Sequence, residues 1–283
     1  MGLRTIAQAG GLALSLAAPA AGSAIAQDRP AFEPGTTMAR IQEAGKLRVG
    51  TRFDIPAVAL RNPITGEMEG FDIEVARGIA RRLGLTEDQI EYTEVISANR
   101  ESALSQGLVD INVSGYVVTP KRREAVGQAG PYVDVHSRLF VHQDNIDKYT
   151  TIESIKGMRI CSTPTGTPVA IIERLGATLV PIDDLNVCKQ HVVNKVVDGN
   201  IANDLNTMGF VNQYDGLVVA KTPPLSDEGW GVGLKKDDEP FCRFIIDALK
   251  DMKASGEYKT NFENAFGSLG LPYQEAPDPD DHC

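Results

Sequence analysis

Between Leu47 and Val113 the chain alternates short apolar runs with stretches of helical period, and this alternation narrows the possible folds more than any other feature. The runs are LRVGT at 47–51, IEYTEV at 90–95 and VDINV at 109–113. Between the first two, Ile73, Ala76, Ala80 and Leu83 recur on one helical face, entered at Gly70 and left at Gly84. Between the last two, a helix is expected from Ser97 to Gln106, stopped by Gly107. Strand–helix–strand–helix–strand calls for a parallel sheet with right-handed crossovers. Open sheets of this kind bind ligands outside the carboxyl ends of their strands. Arg52, Arg100 and Arg122 each follow one of the three strands, so three guanidinium groups can converge on one crevice.

Arg122 has a local context of its own. Thr119 and Pro120 form a helix-start signal, an N-cap hydroxyl followed by proline at the first helical position. Arg122 then falls in the first turn, where unpaired backbone N–H groups and a guanidinium fork favour a carboxylate or phosphate. A second such start lies at Thr163–Pro168, with Gly166 and Thr167 ahead of a helix to Leu175; anion site and plain capped turn both remain open there. Further on, strands are expected at 139–141, 158–161, 178–181, 200–202, 217–220 and 231–234. Asp184 should cap a helix reaching Val197, with Val192, Val193 and Val196 inward, and Asn203-Asp204 should start another. Glu239 to Ala254 carries an apolar stripe of Phe241, Ile245, Leu249 and Met252. From Pro272 onward the chain is acidic, proline-rich and expected to lack core residues. The whole reads as an α/β protein of two lobes. A discontinuous first lobe, 36–136 plus 231–283, encloses a second at 137–230, with two crossing strands as the hinge.

A formal net charge of −10 argues against a nucleic-acid or anionic-membrane surface and makes clustered arginines more telling. Residues 1–26 carry Arg4 as their only charge, then an Ala/Leu-rich run and an Ala24-Ile25-Ala26 cleavage pattern, so export behind a secretory signal is expected. That run is too weakly apolar to span a membrane convincingly and holds no cysteine to which a lipid could be attached. The four cysteines, Cys161, Cys188, Cys242 and Cys283, all lie beyond it; in an oxidising compartment they suggest two disulfides, for which spacing leaves three connectivities open. No phosphate loop or nucleophile motif is found, and His136, His142, His191 and His282 lack metal-ligand spacing, so neither cofactor nor metal is expected.

The segment G-x-x-x-T-P-x-R from Gly115 to Arg122, followed by Gly130-Pro131-Tyr132, resembles the ligand loop of type II periplasmic solute-binding proteins, the extracellular family for polar amino acids. The likeness runs from Leu47 to about Leu269, and V-G-x-R at Arg52 with S-x-x-R from Ser97 to Arg100 is similar to the glutamate/aspartate branch. The resemblance implies a periplasmic, monomeric binder that captures an acidic amino acid between two lobes and delivers it to an ABC transporter permease. It implies that Arg122 holds the α-carboxylate with Gly166 and Thr167 opposite, and that Arg52, Ser97 and Arg100 take the distal carboxylate. A cysteine pair in the second lobe would be Cys161–Cys188, joining a strand end to a following helix, and Cys242–Cys283 would then tie down the tail. Two positions depart from the pattern. Val117 stands where the family has a hydroxyl, and Asn203 stands where an aspartate pairs with the α-ammonium, leaving the neighbouring Asp204 as the substitute. An enzyme on the same fold would need an acid or base such as Glu101, Asp54 or Asp204, none with a partner at diagnostic spacing. A ligand sensor without transport is the third reading.

Overall fold

The computed structural model describes residues 1–2 and 30–283. Apart from its first two residues, the secretory segment expected at 1–26 lies outside the described residues.

Helix α1 (Thr37–Ala44) leads into β1 (Leu47–Thr51), which buries Leu47 and Val49 completely. Three short strands follow, β2 (Asp54–Ile55), β3 (Ala59–Arg61) and β4 (Met68–Glu69), forming a small sheet. The chain enters α2 (Phe71–Arg82) through Gly70, where φ is +121° and a Cβ would lie 2.4 Å from the Val58 carbonyl oxygen. Only glycine fits such an approach. The expected inward face, Ile73, Ala76, Ala80 and Leu83, is fully buried. Then come β5 (Ile90–Glu94), a 3₁₀ turn at Ser97–Asn99, α3 (Arg100–Ser105), β6 (Ile111–Asn112), the single turn α4 (Pro120–Arg123) and β7 (Gly127–His142). The second lobe supplies β8 (Arg159–Ser162), α5 (Pro168–Arg174), β9 (Thr178–Pro181), α6 (Leu185–Val193), β10 (Gly199–Asn203), α7 (Asp204–Val211) and β11 (Leu217–Val219). Strand β12 (Ser226–Leu234) returns to α8 (Glu239–Ala254) and α9 (Glu257–Phe266).

The large sheet runs β5-β1-β6-β12-β7-β10-β8-β9, with β11 also on β7. As the alternation requires, β1 is parallel to both β5 and β6. β7 and β12 form a long antiparallel ribbon, registered from Ser226↔Ser137 to Leu234↔Gly127 with an irregularity between Trp230 and Val232. One end of this ribbon pairs with β6 and the other with β10 and β11, so the two strands belong to both lobes.

Three expectations need correction. The strand placed at 139–141 is the end of a 16-residue strand, and that at 231–234 the end of a nine-residue one. Gly127, Gly130, Pro131 and Gly231 read locally as breakers and hid the pairing. Helix α6 stops at Val193 rather than Val197, because Asn194 closes it and Lys195 adopts a φ of +58°; Val196 is left 47% exposed. The C-terminal tail is docked. Cys242–Cys283 ties it to α8, Asp280 accepts from Arg123 at 2.8 Å, Asp278 pairs with Lys253, and Ala276 enters the core.

Candidate functional site

A cleft lies between the lobes, where β2 and the loops after β5 and β6 face the loop after β8 and the start of α7. Its walls include Ser97, Arg100, Gly115, Val117 and Arg122 from the first lobe, with Gly166, Thr167 and Asn203 from the second. Eight of the ten residues singled out in the sequence are thereby brought together.

Arg100 opens α3 and is only 6% exposed. Its Nη2 donates to the Ser114 carbonyl at 2.7 Å, while its Nε is buried without a protein partner. Burial, followed by the nearby Arg122 and Arg52 guanidinium groups, pulls its pKa down to about 9. A buried cation repelled by two others is stabilised by an incoming anion. Arg122 donates through Nη1 to the Val117 carbonyl at 2.7 Å and reaches across the cleft to the Thr165 carbonyl at 3.4 Å. Its guanidinium carbon sits 4.7 Å from the centre of the Tyr116 ring, and Glu101 lies 3.7 Å from its Nε. The backbone donors expected to assist it are partly spent. α4 is one turn long, and the Arg122 N–H is already accepted by the Thr119 hydroxyl at 3.2 Å. The anion-attracting power of this corner therefore resides in the guanidinium rather than in a helix end.

Gly115 adopts a φ of +60°, and a Cβ there would sit 3.0 Å from Asn206 Oδ1 across the cleft. Its N–H donates at 2.6 Å to Asp72, which also accepts from the Tyr132 hydroxyl at 2.7 Å. Complete burial pushes the Asp72 carboxyl up to about 7, against the opposing pull of Tyr132, Gly115 and Arg100. Gly115 and the buried Asp72 are thus one device that fixes the cleft floor.

The second-lobe wall is neutral. It consists of Ser162 at the end of β8, Thr163, Gly166 and Thr167 from the loop after it, and Ala202, Asn203 and Asn206 around the start of α7. The Cys161–Cys188 disulfide joins β8, directly before this loop, to α6. Ser162, Thr163 and Asn206 were not singled out from sequence. Asn206 carried a usable signal, because it lies three residues after Asn203 and so shares its face at the helix start.

Two expected residues stand elsewhere. Arg52 is 2% exposed, but its Nε and Nη2 are taken by Asp54 at 2.8 and 2.6 Å, and it does not line the cleft. Asp204 faces away towards the hinge ribbon, where it accepts from the His136 backbone N–H and meets the His136 ring, each at 3.2 Å. It does not take over the place left by Asn203.

This fold, with a cleft between two lobes joined by a strand ribbon, is that of type II periplasmic binding proteins. The crystal structure of an arginine-binding protein (ArgBP) variant from T. maritima superposes with a TM-score of 0.74 at 25% identity, over 81% of this chain and 99% of that one. The structure of an ancestral amino acid-binding protein, a precursor of cyclohexadienyl dehydratase, gives 0.75 at 25% identity, over 82% and 100%. Residues 47–268 match the model for bacterial extracellular solute-binding proteins, family 3, and the chain belongs to that family. Glutamate-binding protein GluB of Corynebacterium glutamicum is 32% identical over 245 residues, 82% of each chain. The glutamine-binding protein of Geobacillus stearothermophilus is 27% identical over 212 residues, 74% of this chain and 80% of its own. These relatives are solute-binding proteins for amino acids.

Proposed function

We propose that this protein is an exported, monomeric receptor that captures an acidic amino acid, glutamate or aspartate, and hands it to the permease of an ABC transporter. The observation that carries the reading is the charge of the cleft, whose wall holds Arg100 and Arg122 and, among the described residues, no aspartate or glutamate. An anionic ligand offsets two desolvated guanidinium groups, whereas a cationic one would meet like charge. Arg122 takes the α-carboxylate with Gly166 and Thr167 opposite, and Arg100 with Ser97 takes the distal one. Arg52 stays paired with Asp54 behind the cleft and does not touch the ligand. We place the lobe boundaries at 136/137 and 230/231, inside the ribbon, so that closure bends two strands and leaves each lobe intact.

The missing acid on the cleft wall favours a second ligand class, dicarboxylates without an amino group. A thermal-shift and calorimetric screen of ligand-stripped protein with glutamate, aspartate, glutamine, arginine and 2-oxoglutarate tests both. Stabilisation by glutamate or aspartate ahead of the others is expected. Stabilisation by arginine or glutamine, with neither acidic amino acid binding, overturns the proposal.

A further inference from the structure

Besides Asp54, which pairs with Arg52, carboxylates stand behind the cleft at three places. Asp72 holds the Gly115 N–H and Glu101 lies beside Arg122, both on the cationic side. The third is Glu228 on β12, whose Oε2 accepts from Asn203 Nδ2 at 2.7 Å and from the Ser137 hydroxyl at 3.0 Å. On its other side the Asn203 amide oxygen accepts from Trp230 Nε1 at 3.1 Å. This arrangement fixes the amide. Reversing it would set an N–H against the indole N–H and an oxygen against a carboxylate. Asn203 lines the cleft and is 6% exposed. A carboxylate bonded to an amide N–H polarises the group and makes its oxygen a stronger acceptor.

We infer that Glu228 is a positioning residue for ligand selection, supplying through the Asn203 amide the negative charge that an α-ammonium needs at the neutral wall. The inference rests on the acidic amino acid reading above. It also gives a physical reason for the asparagine. An aspartate at 203 would stand at hydrogen-bond distance from a second carboxylate, and the two would resist ionising together. The counter-charge has moved one residue outward, from the wall to the strand behind it.

Calorimetry of glutamate against 2-oxoglutarate, which shares both carboxylates and lacks the ammonium, tests this in the full protein. Glu228→Gln should weaken glutamate about tenfold and 2-oxoglutarate less than about twofold, in line with turning a charge-assisted hydrogen bond into a neutral one. The exchanged pair Asn203→Asp with Glu228→Gln should recover the glutamate preference, because it returns the carboxylate to the wall. Ser137→Ala, which removes a bond to Glu228 but no charge, should leave the preference unchanged. Should Glu228→Gln not fold, Asn203→Ala removes the intermediary and must cost glutamate the same preference. Equal losses for the two ligands, a preference that survives either variant, or no recovery in the exchanged pair overturns the inference while leaving the functional reading intact. A wild-type protein that binds no acidic amino acid overturns both.

Discussion

The two walls of the cleft are built on opposite plans. The first-lobe wall is cationic and rigidly backed. Arg100 and Arg122 are held by backbone carbonyls, and Gly115 is held by a buried aspartate that is itself held by Tyr132. The second-lobe wall carries hydroxyls and amides on a strand end, a loop and a helix start, braced by a disulfide at the end of β8. The contrast teaches a division of labour. On the proposed reading, charge attraction and most of the affinity would sit in the first lobe, while the second would close over the ligand and discriminate between shapes and donors.

Removing charge from the first wall should break this contrast most. Arg122→Ala should weaken every carboxylate ligand by about 2–5 kcal/mol, as for truncation of one partner of a buried charge pair. A calorimetric loss below tenfold for glutamate would place the affinity elsewhere. Next comes the brace of the second wall. Replacing Cys161 and Cys188 by serine opens a link across 27 residues and should destabilise the second lobe by roughly 3–4 kcal/mol on the loop-entropy view. Thermal unfolding should show this, with glutamate affinity falling less than in the arginine variant; the reverse order would reverse the division of labour.

The third effect concerns the floor of the first wall and is read as a slope against pH. The Asp72 carboxyl is raised in the folded protein to about 7 from 3.8, chiefly by burial. Such a group favours folding below its unfolded pKa, and that contribution is lost as pH rises towards the folded value. Between about pH 4 and 7 it contributes a downward slope of at most about 1.4 kcal/mol per pH unit. Asp72→Asn should flatten the pH dependence of the melting temperature over that window. An unchanged profile would mean that Asp72 is ionised in its buried place.

Much of this was legible from local pattern, and the exceptions have physical causes. α8 was readable from Glu239 to Ala254 because its stripe of Phe241, Ile245, Leu249 and Met252 is unbroken and fully buried. β7 was not, because its glycines and proline mimic turns while its pairing partner lies 89 to 107 residues away at β12. β2, β3 and β4 are two or three residues long and leave no periodicity to find. Within the site, the residues carried by strand-end and helix-start signals assembled in the cleft. Arg52 and Asp204 fell outside it because each found a carboxylate or imidazole partner that local sequence does not announce. For Arg52 that partner is Asp54, two residues on; for Asp204 it is His136, 68 residues back in the chain.

Trp230 is the sole tryptophan of the chain, wholly buried, with its indole N–H bonded to Asn203 and its ring 3.4 Å from where a Gly115 side chain would begin. It therefore touches both walls from the strand that joins them. Every photon of indole emission from this protein originates at that one junction, in an apolar setting that favours a short-wavelength band. Capture of a ligand should alter its intensity or colour without any attached dye, and stopped-flow fluorescence would then time the closing of the lobes directly.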